Sequence, residues 1–207
     1  MRSLYILPAS FFFSGFCALV YQLCWQRYLG AALGVDIEST TIVVSVFMTG
    51  IGVGGALGGW LGDALPKYRS FFYALAEVAI GAYALLSLSV FDWAVAPGGW
   101  MASPEAWRNA VGGFFILLLP TVMMGMTLPL LTLVFNESFS NIGYSVGTLY
   151  FINTFGAAFG ALAVTFFLFD TLSLSQIVKI MASVNFIIAV VAFGVFGAKG
   201  RRSSWQQ

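Results

Sequence analysis

Charge is what this 207-residue chain has least of. Only 8% of its residues are charged, whereas 60% are hydrophobic and 17% aromatic, and its mean hydropathy is +0.93. A water-soluble domain carries roughly a quarter charged residues, so this chain cannot cover a water-facing surface. The composition therefore predicts an integral membrane protein whose surroundings are the lipid bilayer.

Histidine is absent altogether. Its absence excludes histidine-based acid–base catalysis, histidine-ligated haem and the usual zinc or di-iron sites. The net charge is +1 with no block of basic residues, which argues against nucleic-acid binding. The two cysteines, Cys17 and Cys24, stand about 10 Å apart along one predicted helix, too far to form a disulfide. We therefore expect no metal, no cofactor and no enzymatic activity in this chain.

Apolar segments of membrane-spanning length occur six times, at about 4–25, 39–61, 70–91, 110–135, 144–168 and 173–196. Each is long enough to cross a hydrocarbon core of about 30 Å, and continuous rather than alternating hydrophobicity favours helices over strands. No small-residue cleavage site follows the first segment, so we expect it to be retained as a helix. The sequence predicts one all-α domain, residues 1–207, that crosses the membrane six times.

The basic residues predict the orientation of these spans. With a cytoplasmic N-terminus, six basic residues fall inside and two outside: Arg2, Lys67, Arg69, Lys199, Arg201 and Arg202 against Arg27 and Arg108. By the positive-inside rule, both termini are predicted to be cytoplasmic. We expect a multi-pass protein of the cell's inner (plasma) membrane.

The outer end of the first span is rich in aromatic and polar residues. Tyr21, Trp25 and Tyr28 suit the aromatic belt at the membrane interface. Arg27, beside them, is placed to pair with an acidic residue of the outer loop, Asp36 or Glu38.

Glycines mark two helix faces. In the second span, Gly50, Gly54, Gly58 and Gly62 recur at strict four-residue spacing. A face without side chains lets another helix approach closely, which stabilises helix pairs in lipid. The ridge is either a fixed packing face or a sliding surface in a rocking transporter.

The fifth span carries a second such face. Gly156 and Gly160 share it with Tyr150 and Asn153, since steps of three and four residues fall on one side of a helix. Two interpretations stay open: helix packing with a hydrogen bond across the contact, or a polar patch that faces a substrate.

Two further spans carry unusual residues. Glu77 lies seven residues into the third span, where a carboxylate is costly unless it is protonated, paired or in contact with water. It is either a hydrogen-bonded anchor or a cation or proton site. In the fourth span Pro120 and Pro129 flank Gly125; this pattern predicts a kinked helix that lines a cavity or flexes as a gate.

Five segments, taken in order along the chain, carry a resemblance to a known family: 14–21 with Trp25 and Arg27, the glycine-rich 49–63, 76–81, 120–129 and 149–156. Together they resemble the membrane module of the transmembrane spermidine-synthase-like proteins, which is major-facilitator-like. The resemblance implies half of a major-facilitator bundle and a polyamine-like cationic solute. It also implies that Asp63, Lys67 and Arg69 latch the cytoplasmic side. The sequence departs from the family in two ways. Gln22 stands where the family tends to have glutamate, and we expect no soluble aminopropyltransferase-like domain to accompany these spans.

Two functions remain open at this point. The first is transport of a small solute by a homo-oligomer, with a dimer favoured, in which Glu77, Asn153, Tyr150 and Gln22 are candidate substrate-binding residues. The alternative is a non-transporting anchor for a separate soluble aminopropyltransferase-like enzyme at the cytoplasmic face.

Overall fold

The computed structural model describes residues 2–33, 36–103 and 105–203. Within these residues the regular structure is helical: α1 (Arg2–Leu33), α2 (Asp36–Ala64), α3 (Arg69–Val95), α4 (Ala106–Phe139), α5 (Ile142–Thr171) and α6 (Leu174–Ser203). A short 3-10 turn, Pro66–Tyr68, precedes α3, and α5 includes a π-helical turn at Val164–Leu168. All six helices are long and apolar enough to span a membrane. The protein is an all-α, integral multi-pass membrane protein, as the sequence predicts.

The helices extend beyond the apolar segments from which the spans were predicted. The first predicted segment ends at residue 25, whereas α1 continues to Leu33. Its extension is stabilised by contacts of its polar side chains: Gln26 donates a hydrogen bond to Thr40 Oγ1 at 2.8 Å, and the Arg27 guanidinium lies over the Phe169 ring at 4.3 Å. Hydrophobicity alone does not detect a helical turn whose polar groups are satisfied by neighbouring helices.

Several charged side chains used in the sequence predictions lie outside the described part of the structure: Arg2, Asp36, Glu38, Lys199, Arg201 and Arg202. The pairing of Arg27 with the outer-loop acids and the cytoplasmic position of the termini therefore stay predictions.

The helices associate in pairs. Helix α2 packs most extensively on α4, α1 on α5, and α3 on α6, while α1 also contacts α6 and α3 contacts α4. Three hydrogen bonds join α1 to α3 at nearly constant sequence separation: Ser14–Glu77, Trp25–Ser87 and Tyr28–Asp92. A constant separation requires two helices that run in the same direction in fixed register.

Two of the aromatic residues at the end of the first predicted span lie inside the bundle rather than against lipid. Tyr21 and Trp25 are fully buried, with their rings stacked at 5.4 Å. They are buried because α1 packs against neighbours on several sides, and the Tyr21 hydroxyl and the Trp25 indole N–H both find partners there. The depth of these residues in the membrane, and the interfacial position of Tyr28, stay predictions.

The glycine ridge of α2 faces α4. A Cβ atom added at Gly54 would lie 2.1 Å from the Val122 carbonyl oxygen, and one added at Gly58 would lie 2.7 Å from that of Met126. At Gly50 and Gly62 the nearest atoms belong to the side chains of Thr121 and Leu133. By contrast, a Cβ added at Gly52, Gly55 or Gly59 would meet nothing within 4 Å. The glycines at four-residue spacing are thus the ones that contact α4, and at Gly54 and Gly58 the contact is with its backbone.

Helices α1 and α5 meet through glycines on both sides. A Cβ added at Gly156 would lie 2.0 Å from the Phe12 carbonyl oxygen, and one added at Gly160 would lie 2.6 Å from that of Phe16. On α1, a Cβ added at Gly15 would lie 2.2 Å from the Asn153 carbonyl oxygen. Close contact of two backbones replaces side-chain packing along this pair.

Helix α4 remains continuous through both of its prolines. Pro120 has no N–H, so it leaves the carbonyl four residues earlier without its helical donor. That carbonyl belongs to Ile116, and the Tyr83 hydroxyl of α3 donates to it at 2.6 Å. A side chain of a neighbouring helix therefore supplies the hydrogen bond that the proline removes.

Candidate solute site: a cavity with convergent polar groups and a buried carboxyl

A cavity of about 460 Å³ lies between the helix pairs α1–α5 and α2–α4. Most of its wall is apolar, but amide and hydroxyl side chains converge on it from four helices. They are Ser14 and Gln22 of α1, Thr127 of α4, Tyr150, Asn153 and Thr154 of α5, and Asn185 of α6. None of the lining residues carries a charge. An apolar pocket with a few convergent polar groups is the usual form of a small-molecule site.

The cavity opens towards one side of the bundle. The lining residues that are exposed are Met48 and Ile51 of α2 and Tyr150 and Thr154 of α5. Helix α5 is also the least covered helix, since 17% of its most apolar window is buried against 39–50% in the other five. Polar groups at the mouth therefore lie on the face that the bundle itself covers least.

Three of the four candidate substrate-binding residues come together at this cavity: Gln22, Tyr150 and Asn153. Asn153 has a structural contact as well, because its Nδ2 donates to the Phe11 carbonyl at 3.1 Å across the α1–α5 contact. Of the residues expected to kink α4, Gly125 and Pro129 line the cavity, while Pro120 does not.

The fourth candidate, Glu77, lies behind the cavity wall. It is fully buried, and its carboxyl accepts one hydrogen bond from Ser14 Oγ and another from Asn185 Nδ2, both at 2.7 Å. Both donors line the cavity. Ser14 and Asn185 therefore stand between Glu77 and the cavity, and each of them bonds directly to the Glu77 carboxyl.

Two tyrosines extend this buried group. The Tyr21 hydroxyl donates to Asn185 Oδ1 at 2.8 Å, so that Asn185 joins Tyr21 to Glu77. Tyr73 is fully buried one turn before Glu77, and its hydroxyl has no hydrogen-bond partner among the described residues. Residues four apart on a helix have neighbouring side chains, so Tyr73 and Glu77 occupy the same face of α3.

The residues expected to latch the cytoplasmic side do not bond to one another. Arg69 Nε donates to the Gly62 carbonyl at 2.8 Å, and its guanidinium forms a salt bridge of 3.5 Å with Glu137 at the end of α4. Asp63 and Lys67 are exposed. Arg69 thus connects the ends of α2 and α4 through the Gly62 carbonyl of one helix and the Glu137 carboxylate of the other.

Sequence reasoning missed Ser14 and Asn185, the two residues that connect Glu77 to the cavity. The signal for Asn185 was present: it is an amide within an apolar span, and such an amide seeks a partner on another helix. Asn153 is an amide of the same kind, and the glycines on its helix face, Gly156 and Gly160, mark it as a contact residue. Asn185 has no such glycines beside it. Ser14 gives no comparable signal, since a serine in a helix can also bond to its own backbone.

Comparison with known proteins finds no matching family model, curated protein or solved structure. The chain's own residues form a six-helix, multi-pass membrane protein with a largely apolar cavity on which a few polar side chains converge.

Proposed function

We propose that this protein carries a small polar solute across the membrane through the cavity between α1–α5 and α2–α4. The observation that carries the proposal is the convergence of three amide side chains, Gln22, Asn153 and Asn185, on one cavity inside the bundle. Asn153 and Asn185 each use one N–H in a hydrogen bond to protein, and the donor and acceptor positions that remain on these amides are costly unless they bond to protein, water or a ligand. A solute with its own donors and acceptors satisfies them.

The lining chemistry narrows the class of solute. Because the lining residues are uncharged and the Glu77 carboxyl lies behind them, the cavity favours a neutral or zwitterionic molecule over the polyamine that the sequence resemblance implies. The volume of about 460 Å³ suits a compact metabolite.

The working unit we propose is a homodimer. The mouth of the cavity lies between α2 and α5, where polar Tyr150 and Thr154 are exposed. Polar groups that face lipid are unfavourable, and a second copy related by a two-fold axis would cover the mouth with the same residues. The two copies would then enclose one translocation path, in the manner of a major-facilitator-like pair of six-helix halves.

Cross-linking tests the dimer. We expect Thr154→Cys to form a covalent dimer with a thiol-specific cross-linker in native membranes, whereas Ser89→Cys, which is exposed on α3, should not. The native cysteines are buried and contribute little background. Equal cross-linking at the two positions, or none at either, contradicts this arrangement.

Transport is tested in two steps. Purified protein is screened for thermal stabilisation by neutral, zwitterionic and cationic metabolites, with polyamines among them, because a ligand that binds the folded state raises its stability. Each stabilising compound is then measured for uptake into proteoliposomes. We expect at least one neutral or zwitterionic compound to stabilise the protein and be taken up, and Gln22→Leu to weaken both effects.

The anchor function makes a different prediction. If no compound of the screen binds and a soluble aminopropyltransferase-like enzyme copurifies from native membranes, the protein is an accessory subunit rather than a transporter. Lys67 and Tyr68 are exposed at the α2–α3 turn, so substitutions there would then weaken the association.

A further inference from the structure

The Glu77 carboxyl joins its own helix, α3, to two neighbouring helices by hydrogen bonds. Ser14 of α1 donates to one oxygen and Asn185 of α6 donates to the other, both at 2.7 Å, while Glu77 itself belongs to α3. Both donors also line the cavity. Any movement of Ser14 or Asn185 towards a solute therefore changes a hydrogen bond to the carboxyl.

Among the described residues, no ion pair fixes the charge of this carboxyl. The titratable groups that face it are Cys17 and Tyr21 on α1 and Tyr73 on its own helix, and α6 presents Asn185. The salt bridge found in the described residues joins Arg69 to Glu137 at the end of the bundle. A carboxyl within a membrane span that lacks a cationic partner is a typical element of a proton pathway.

The surrounding groups can satisfy Glu77 in both protonation states. The ionised carboxylate accepts the bonds from Ser14 and Asn185. The protonated acid has one O–H to donate and needs an acceptor. The Tyr73 hydroxyl, buried on the same face of α3 and without a hydrogen-bond partner among the described residues, has free lone pairs for it. Tyr73 can therefore accept the hydrogen bond that the protonated Glu77 carboxyl donates.

We propose that Glu77 is a proton-binding site and that Asn185 links its protonation to the contents of the cavity. The Asn185 amide donates to Glu77 through Nδ2 and accepts from Tyr21 through Oδ1. One N–H and one acceptor position of this amide remain, and Asn185 lines the cavity. A solute that bonds to these remaining positions pulls on or turns the Asn185 side chain, and so changes its hydrogen bond to the Glu77 carboxyl. The link to transport rests on the proposed function, whereas the proton site does not.

Infrared spectroscopy tests the proton site without a solute. The full-length protein in lipid is titrated, and the carbonyl stretching band of a protonated carboxyl is followed. We expect a pH-dependent band that Glu77→Gln removes. Ser14→Ala and Asn185→Leu each delete a donor to the carboxylate, so each raises the proton affinity of Glu77 about tenfold. Gln22→Leu, which alters the cavity without touching Glu77, leaves it unchanged.

Two results overturn the proposal: a spectrum in which Glu77→Gln removes no pH-dependent band, or a titration that Ser14→Ala and Asn185→Leu do not move. Uptake provides a second, separate readout. With a transported solute in hand, Glu77→Gln should keep uptake down a concentration gradient but lose its response to an imposed pH gradient. A variant that responds like the wild type refutes the coupling. Absence of uptake in the wild type refutes only the proposed function, because the infrared titration needs no solute.

Discussion

Gly54→Ala should destabilise the protein far more than the same substitution two residues earlier. The added methyl group at Gly54 would lie 2.1 Å from the Val122 carbonyl oxygen and 2.9 Å from the Gly125 Cα. Both are backbone atoms of α4, so no rotamer change relieves the overlap. Helices α2 and α4 would have to separate by about 1 Å, which weakens dispersion contacts along the pair. Overpacking of this kind costs about 1–3 kcal/mol.

Gly52→Ala is the matched control. A Cβ atom at Gly52 meets nothing within 4 Å, and alanine favours a helix over glycine by about 1 kcal/mol. The free energy of unfolding of this variant should therefore equal or slightly exceed that of the wild type.

The two variants are compared by unfolding in mixed detergent micelles with increasing sodium dodecyl sulfate, followed by circular dichroism. We expect Gly54→Ala to unfold at lower dodecyl sulfate than both the wild type and Gly52→Ala. Equal midpoints for the two variants would refute the assignment of the ridge as the closest contact of α2 with α4.

Three further predictions follow from contacts elsewhere in the bundle. Gly156→Ala should lower the free energy of unfolding by about 1–3 kcal/mol, because the added methyl would meet a backbone oxygen of α1 at 2.0 Å. Gly147→Ala, with open space around it, should not lower it, and equal stabilities of the two variants would contradict this prediction. Tyr83→Phe removes the hydroxyl that donates to a partly buried α4 carbonyl and should cost about 1 kcal/mol in the same assay. A wild-type midpoint would show that another donor replaces it. The thiols of Cys17 and Cys24, both buried, should react with a maleimide only after denaturation, and rapid labelling of the folded protein argues against their positions.

The sequence was sufficient to predict the number and class of the helices and the face on which the α2 glycines lie. Both follow from local physics: continuous apolar runs of span length, and a four-residue repeat that stays on one side of a helix. The same repeat explains why Gly54 and Gly58 meet α4 backbone while Gly52, Gly55 and Gly59 are open: the first two lie on the repeat and the other three do not.

Local patterns indicated three residues of the site, Gln22, Tyr150 and Asn153, but not that they would meet at one cavity. The glycine ridge carries no side chains, so nothing in it specifies α4 as its partner. Gln22 and Asn153 lie far apart in sequence, and only the pairing of α1 with α5 brings them to one cavity. The burial of Tyr21 depends on how many helices surround α1, which the α1 sequence does not encode.

Uptake by a cavity-blocked variant tests the transport proposal most directly. Gly55 lines the cavity and has open space around it, so a phenylalanine there fills the cavity without displacing a helix, whereas Gly59, equally open, lies outside the cavity lining. With a solute that stabilises the wild type, we expect Gly55→Phe to abolish uptake into proteoliposomes and Gly59→Phe to retain it. Equal uptake by Gly55→Phe and the wild type would contradict translocation through this cavity.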